Sequence, residues 1–191
     1  MSNYYMMECY PRRGEAVISS YPDLPSPMDN WLGGTRWTKP VPEPLVFQIS
    51  EDEKGVMRPL FSTHFLVMAD GVVEALREIG VDNIDAYDAI FRETDTGKVH
   101  RGYKAVNIVG LVAAVDMANS EVVDLGDGDP ALSAFFFERI ALDESKCRGL
   151  LFFRLAEKMS AIVVHKTVKE HLEKKGFGRL QFFAPEEWNA G

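Results

Sequence analysis

The run Ala161-Ile-Val-Val-His165-Lys-Thr-Val-Lys-Glu170-His-Leu-Glu-Lys-Lys-Gly176 decides the class of fold, because its period changes partway along. Ala161 to His165 is short, apolar and β-branched, which reads as a strand. Thr167-Val-Lys-Glu170 then matches a capping box, in which the threonine hydroxyl and the glutamate carboxylate satisfy orphan amides at a helix start. Val168 and Leu172 give the helix one buried stripe. Lys174 and Lys175 suit the negative end of its dipole, and Gly176 stops it. Gly178 to Phe183 returns as a strand.

Working upstream, strand-like runs dominate: Leu150 to Leu155, Ala134 to Leu142, Tyr103 to Val109 and Ile84 to Arg92. Phe135-Phe-Phe137 and Leu150-Leu-Phe-Phe153 are apolar on both faces, which predicts strands in the middle of a covered sheet. One further helix is expected from Ser62 to Ile79. Ser62 would be its N-cap, Phe65, Met68, Ala69, Val72, Val73, Leu76 and Ile79 its buried stripe, and Gly80 its end. Gly71 speaks against this pattern, since glycine costs about 1 kcal/mol relative to alanine inside a helix.

Eight of the ten prolines precede residue 60, so long helices are not expected there. Tyr4 to Tyr10, Glu15 to Tyr21 and Leu45 to Ser50 read as short strands between turns, with Leu45, Phe47 and Ile49 on one face. Strands prevail and no βαβ alternation is seen. The expected fold is therefore α+β: a strand-rich mixed or antiparallel sheet, two main helices and a proline-rich N-terminal strand and turn region. One domain over residues 1–191 is expected, with 1–58 packed on a 59–191 core.

Composition narrows the function. The chain has 191 residues, 46% hydrophobic and 26% charged, with a net charge of −8. Phosphate backbones are bound by clustered Lys and Arg, so nucleic acid is a poor partner and a basic protein a better one. Cys9 and Cys147 form no Cys-x-x-Cys pair, which fits a reducing compartment. The N-terminal stretch lacks the basic-then-apolar order of a secretory signal. The uncharged run Ala105 to Val115 is shorter than the roughly 20 residues that span a bilayer. A cytoplasmic protein without membrane contact is expected. No oligomeric state is read from these features.

Catalytic signatures are missing. The four histidines, His64, His100, His165 and His171, make no His-Glu-x-x-His pair. There is no Gly-x-Ser-x-Gly elbow, and neither Gly33-Gly34 nor Gly126 and Gly128 belong to a phosphate cradle. No metal, cofactor or catalytic residue is therefore expected. The densest charge feature is Asp116 to Asp129, where Asp116, Glu121, Asp124, Asp127 and Asp129 are uninterrupted by Lys or Arg. These five are candidate contacts for a basic partner, set against the plainer reading of a solvated loop. Trp31 and Trp37, flanking Leu32-Gly-Gly-Thr-Arg36, read better as pins holding an irregular segment than as binding anchors.

A series of short motifs carries a resemblance. They are Trp31-Leu-Gly-Gly, Arg58-Pro-Leu-Phe-Ser62, Gly80-Val-Asp-Asn-Ile84 and Tyr103-Lys-Ala-Val-Asn-Ile-Val-Gly110. Asp116 with Ser120, Leu151-Phe-Phe-Arg-Leu-Ala-Glu157, Gly176-Phe-Gly178 and Phe182-Phe-Ala-Pro185 follow. In this order the chain resembles the eleventh immunity family of bacterial polymorphic toxin systems, formerly a domain of unknown function. The resemblance covers most of the chain from about residue 30. Its marker residues are Trp31, Gly33, Trp37, Asn83, Gly110, Arg154 and Gly178. It implies a stoichiometric inhibitor that binds and neutralises a cognate toxin from a neighbouring gene, with no catalytic residues. Two alternatives stand beside it: a small hydrolase using His165 or His100 with a nearby carboxylate, and a regulatory binding module outside toxin systems.

Overall fold

The computed structural model describes residues 2–23, 31–50, 55–124 and 135–188. Within them the order is β1 (Tyr4–Glu8), β2 (Val17–Ser20), β3 (Leu45–Ser50), β4 (Leu60–Ser62), β5 (Leu66–Ala69), α1 (Asp70–Glu78), β6 (Ile84–Glu93), β7 (Val99–Ile108) and β8 (Leu111–Val112). Then come β9 (Glu121–Asp124), β10 (Phe135–Arg139), β11 (Phe152–Leu155), β12 (Ile162–His165), α2 (Lys166–Lys174) and β13 (Gln181–Phe183). Short 3₁₀ turns occupy Glu144–Cys147 and Pro185–Glu187.

Two main sheets result, ordered β13-β1-β12-β11-β8 and β2-β3-β6-β7-β5-β4, with β9 and β10 as a separate ribbon. Each main sheet is antiparallel except for one parallel pair, β11 with β8 and β3 with β6. The fold is α+β, as the pattern of runs implies. Region 1–58 supplies β1 to the interior of one sheet and β2 and β3 to the other.

Side-chain alternation sorts the sheets into three apolar layers. Met7, Leu60, Leu66, Met68, Val106, Ile108, Phe152, Ile162 and Val164 form the central layer, together with Val72, Val73 and Leu76 of α1 and Val168 and Leu172 of α2. The opposite faces of the same strands feed the outer layers. Tyr4, Met6, Phe153, Leu155 and Val163 lie on one side, and Phe61, Phe65, Val67 and Ala105 on the other. This double burial explains why β5, β11 and β12 are apolar at almost every position.

Three expectations need correction. The predicted helix from Ser62 begins only at Asp70. Leu66, Val67 and Met68 are buried consecutively, which a one-striped helix cannot achieve, and β5 pairs with β4 and β7 instead. Long-range pairing outweighs helical spacing there. At α2 the N-cap is His165, whose Nδ1 accepts from the Thr167 amide at 3.3 Å, so the capping box sits out of register. Phe135 to Phe137 do not lie mid-sheet: β10 pairs with β9 in a two-stranded ribbon. Both helices end as expected, with Gly80 and Gly176 at φ +93° and +87°. The following amides reach back, Val81 to the Leu76 carbonyl and Phe177 to that of Leu172, in a Schellman pattern.

Candidate functional site

The acidic candidates lie only partly within the described residues. Asp127 and Asp129 lie outside those residues. Asp124 ends β9, opposite Phe135. Glu121 accepts from Arg139 Nε at 2.7 Å across the ribbon. The Asp116 carboxylate is occupied by its own turn, accepting from the Asn119 side chain at 2.7 Å and the Ala118 amide at 3.1 Å. The Asn119 side-chain bond holds this carboxyl below the usual range. Ser120 Oγ donates to the Asp116 carbonyl and accepts from the Ala141 amide, so this turn fastens β9 to the segment after β10.

The marker residues are mostly internal fasteners. Trp31 is 2% exposed, and its Nε1 donates to the Val106 carbonyl at 2.8 Å. Its ring lies 5.2 Å from Trp37 and 4.9 Å from Phe65. Beside Gly33, Gly34 has φ +69°, and its carbonyl accepts from the Gly110 amide at 2.7 Å. Gly110 is itself at φ +94°. Asn83 Nδ2 donates to the carbonyls of Val109 and Phe152, linking the two main sheets. Arg154 is 1% exposed and donates to the Met159 carbonyl at 2.8 Å, and burial lowers its pKa to about 10. A Cβ on Gly178 would meet nothing within 4 Å, so packing does not demand glycine there.

The histidines have structural partners. His100 Nε2 lies 2.6 Å from the Glu93 carboxylate, which Lys98 and Thr96 also contact, closing the β6–β7 hairpin. His165 caps α2, and His171 faces Glu78 of α1 at 3.2 Å. No group of three or more His, Cys, Asp and Glu suited to a metal ion occurs among the described residues. Cys147 is buried, and burial pushes its thiol up to about 11.

Two of the clefts are lined by described residues. The first, about 550 Å³, lies where the sheets meet and is bordered by Glu8, Tyr10, Ile18, Tyr21, His64 and Trp188, with Arg58 in its lining. Arg58 helps hold that junction. Its guanidinium donates to the Cys9 carbonyl at 2.6 Å and stands 4.4 Å from the centre of the Phe61 ring. Glu8 accepts from Trp188 Nε1 at 3.2 Å, and burial raises its pKa.

The second cleft, about 530 Å³, runs along β8. Its lining includes Leu111, Val112, Leu150 and Phe153, with Lys146 and Arg148 also on its border. Arg148 has φ 50°, the one positive-φ residue other than glycine among those described. Neither Lys146 nor Arg148 stands out in the sequence, where only the Arg148-Gly149 step hints at an unusual turn.

Neither cleft is bordered by His100 or His165. No helix among the described residues is long and apolar enough to cross a membrane. Compared with known families, residues 3–185 match the model of an immunity protein family, Imm11. No curated protein matches the chain.

Proposed function

The chain belongs to the immunity protein family Imm11, and from that membership we propose that it binds a cognate toxin stoichiometrically and neutralises it by occlusion. The match over residues 3–185 carries this reading. The toxin is the product of a neighbouring gene, and the encounter takes place in the cytoplasm of the producing bacterium. The protein acts by occupying a surface and performs no chemistry of its own. Three of the four histidines and the buried arginines take part in holding strands and turns, which supports this. The net charge of −8 favours a toxin with a basic surface, for which Asp116, Glu121, Asp124, Asp127 and Asp129 are proposed long-range contacts.

Calorimetric titration against the neighbouring gene product, made catalytically dead, tests the reading. Saturable one-to-one binding with nanomolar affinity is expected. An absence of heat together with an absence of co-elution would overturn it. Replacing Asp124, Asp127 and Asp129 by alanine together is expected to slow association, and unchanged kinetics would remove these residues from the interface.

A further inference from the structure

Glu8 ends β1 with a carboxylate that the fold serves poorly. By the alternation of the strand it shares a face with Tyr4 and Met6, which are buried. Trp188 Nε1 donates to it at 3.2 Å, and the Tyr10 hydroxyl is close enough to share that N–H. Among the described residues Glu8 makes no ion pair. The field of Arg154 reaches it, yet burial outweighs both Arg154 and Trp188 and leaves its pKa raised. A carboxylate withdrawn from water ordinarily gathers several donors or a cation. The same molecule shows that arrangement twice. Arg179 forks onto Glu15, and Lys98, His100 and Thr96 surround Glu93.

Glu8 borders the cleft of about 550 Å³ where the two main sheets meet. Tyr10, Tyr21 and Trp188 line the same cleft. Exposed apolar side chains collect around it: Tyr10 and Val17 in the lining are 42% and 45% exposed, and Met159, beside the bordering Ser160, is 38% exposed. Arg58 is also in the lining, but its charge is already answered. It donates to the Cys9 and Ala16 carbonyls and stands 3.9 Å from the Glu15 carboxylate. A carboxylate short of donors and framed by aromatic rings is suited to a cation, since ring faces attract positive charge and the carboxylate balances it.

We propose that this cleft receives a basic side chain of the toxin, an arginine by preference, which pairs with the Glu8 carboxylate and lies against the rings of Tyr10 and Trp188. This rests on the immunity reading and names its contact. A guanidinium is preferred because it is planar, forks onto a carboxylate and stacks on aromatic faces. A basic partner is also the one that a net charge of −8 favours. The acidic surface speeds the encounter, and the seated cation sets the lifetime of the complex.

The test titrates the catalytically dead neighbouring gene product into the wild type, Glu8→Gln, Val17→Lys and Val17→Glu by calorimetry. Glutamine keeps an acceptor for Trp188 and removes the charge that burial disfavours. The melting temperature of Glu8→Gln is therefore expected to hold or rise while affinity falls about tenfold or more. A purely structural role would leave affinity unchanged. Val17 is exposed on β2, the last strand of its sheet, so both of its variants should fold. Lysine there is expected to weaken binding severalfold, and glutamate to keep or tighten it. If the wild type binds while Glu8→Gln and Val17→Lys keep full affinity, the cleft is not the interface, and the immunity reading survives. If both variants bind more tightly, an acidic group seats on Arg58 and the proposal is overturned. If the protein alone dimerises and Val17→Lys separates the dimer, a second copy covers the cleft and the toxin does not. If the wild type does not bind, the immunity reading fails and takes this contact with it.

Discussion

Glu15 joins the proline-rich region to the C-terminal end of the chain through one bidentate ion pair. Its carboxylate accepts from Arg179 Nε at 2.8 Å and Nη2 at 2.6 Å, and from the Arg12 amide at 2.8 Å. The Arg179 hydrogen bonds hold its pKa at about 2, against an ordinary 4.5. The folded state therefore keeps the carboxylate charged where the unfolded chain would take up a proton. This contribution is complete above pH 4.5 and is lost as the pH falls towards 2. Because glutamine keeps an acceptor for part of this network and loses only the charge, Glu15→Gln is expected to cost about 1–2 kcal/mol at pH 7. Urea unfolding of both proteins at pH 7 and pH 3 checks this, and the gap between them should shrink at the lower pH. Gly34 is constrained differently. A Cβ there would lie 2.9 Å from the Gly110 carbonyl carbon and 2.9 Å from Leu111 Cγ, at a backbone φ of +69°. Gly34→Ala is expected to lose about 2–3 kcal/mol in the same assay, from strain and overpacking together.

Among the elements, the β6–β7 hairpin depends most on one side chain. Glu93 is 2% exposed and gathers His100, Lys98 and Thr96 around the turn. Its backbone closes the same turn, the amide bonding to the Lys98 carbonyl and the carbonyl accepting from Gly97. Glu93→Ala leaves a buried gap and unpaired donors, so a loss of about 1–3 kcal/mol is expected. Amide exchange should quicken first at residues 94–98, and uniform quickening along the chain would show a global effect instead. This hairpin was partly legible in the sequence, since Ile84 to Arg92 and Tyr103 to Val109 read as strand-like runs, whereas its turn and the start of β7 at Val99 were not read. The start of α1 was not. Phe65, Met68 and Ala69 fit a helical stripe as well as they fit β5, and only the distant partners Val106 and Lys104 decide between the two. The cap of α2 was misplaced by two residues, because His165 can offer an acceptor as threonine does. Gly71 makes sense only with the fold in view: a Cβ there would stand 3.3 Å from Phe177 Cζ, where α1 passes the end of α2. The candidate surface was the least legible part. Charge runs can be read from sequence, whereas clefts lined by residues far apart in the chain exist only once strand order is set.

The central apolar layer takes residues from both sheets and both helices, so neither sheet can keep its inner face dry without the other. We therefore propose one cooperative domain, expected to unfold in a single calorimetric transition whose van't Hoff and calorimetric enthalpies agree. Two resolved transitions would divide it. Charge acts at the same scale. With 29 acidic against 21 basic residues, the molecule presents a negative field that would draw in the basic toxin proposed above, and salt screens that field over about 8–10 Å at 0.1–0.15 M. The association rate is therefore expected to fall steeply with added salt while the dissociation rate changes little. Stopped-flow kinetics with the proposed toxin across a salt series check this, and an association rate indifferent to salt would take the net charge out of the encounter.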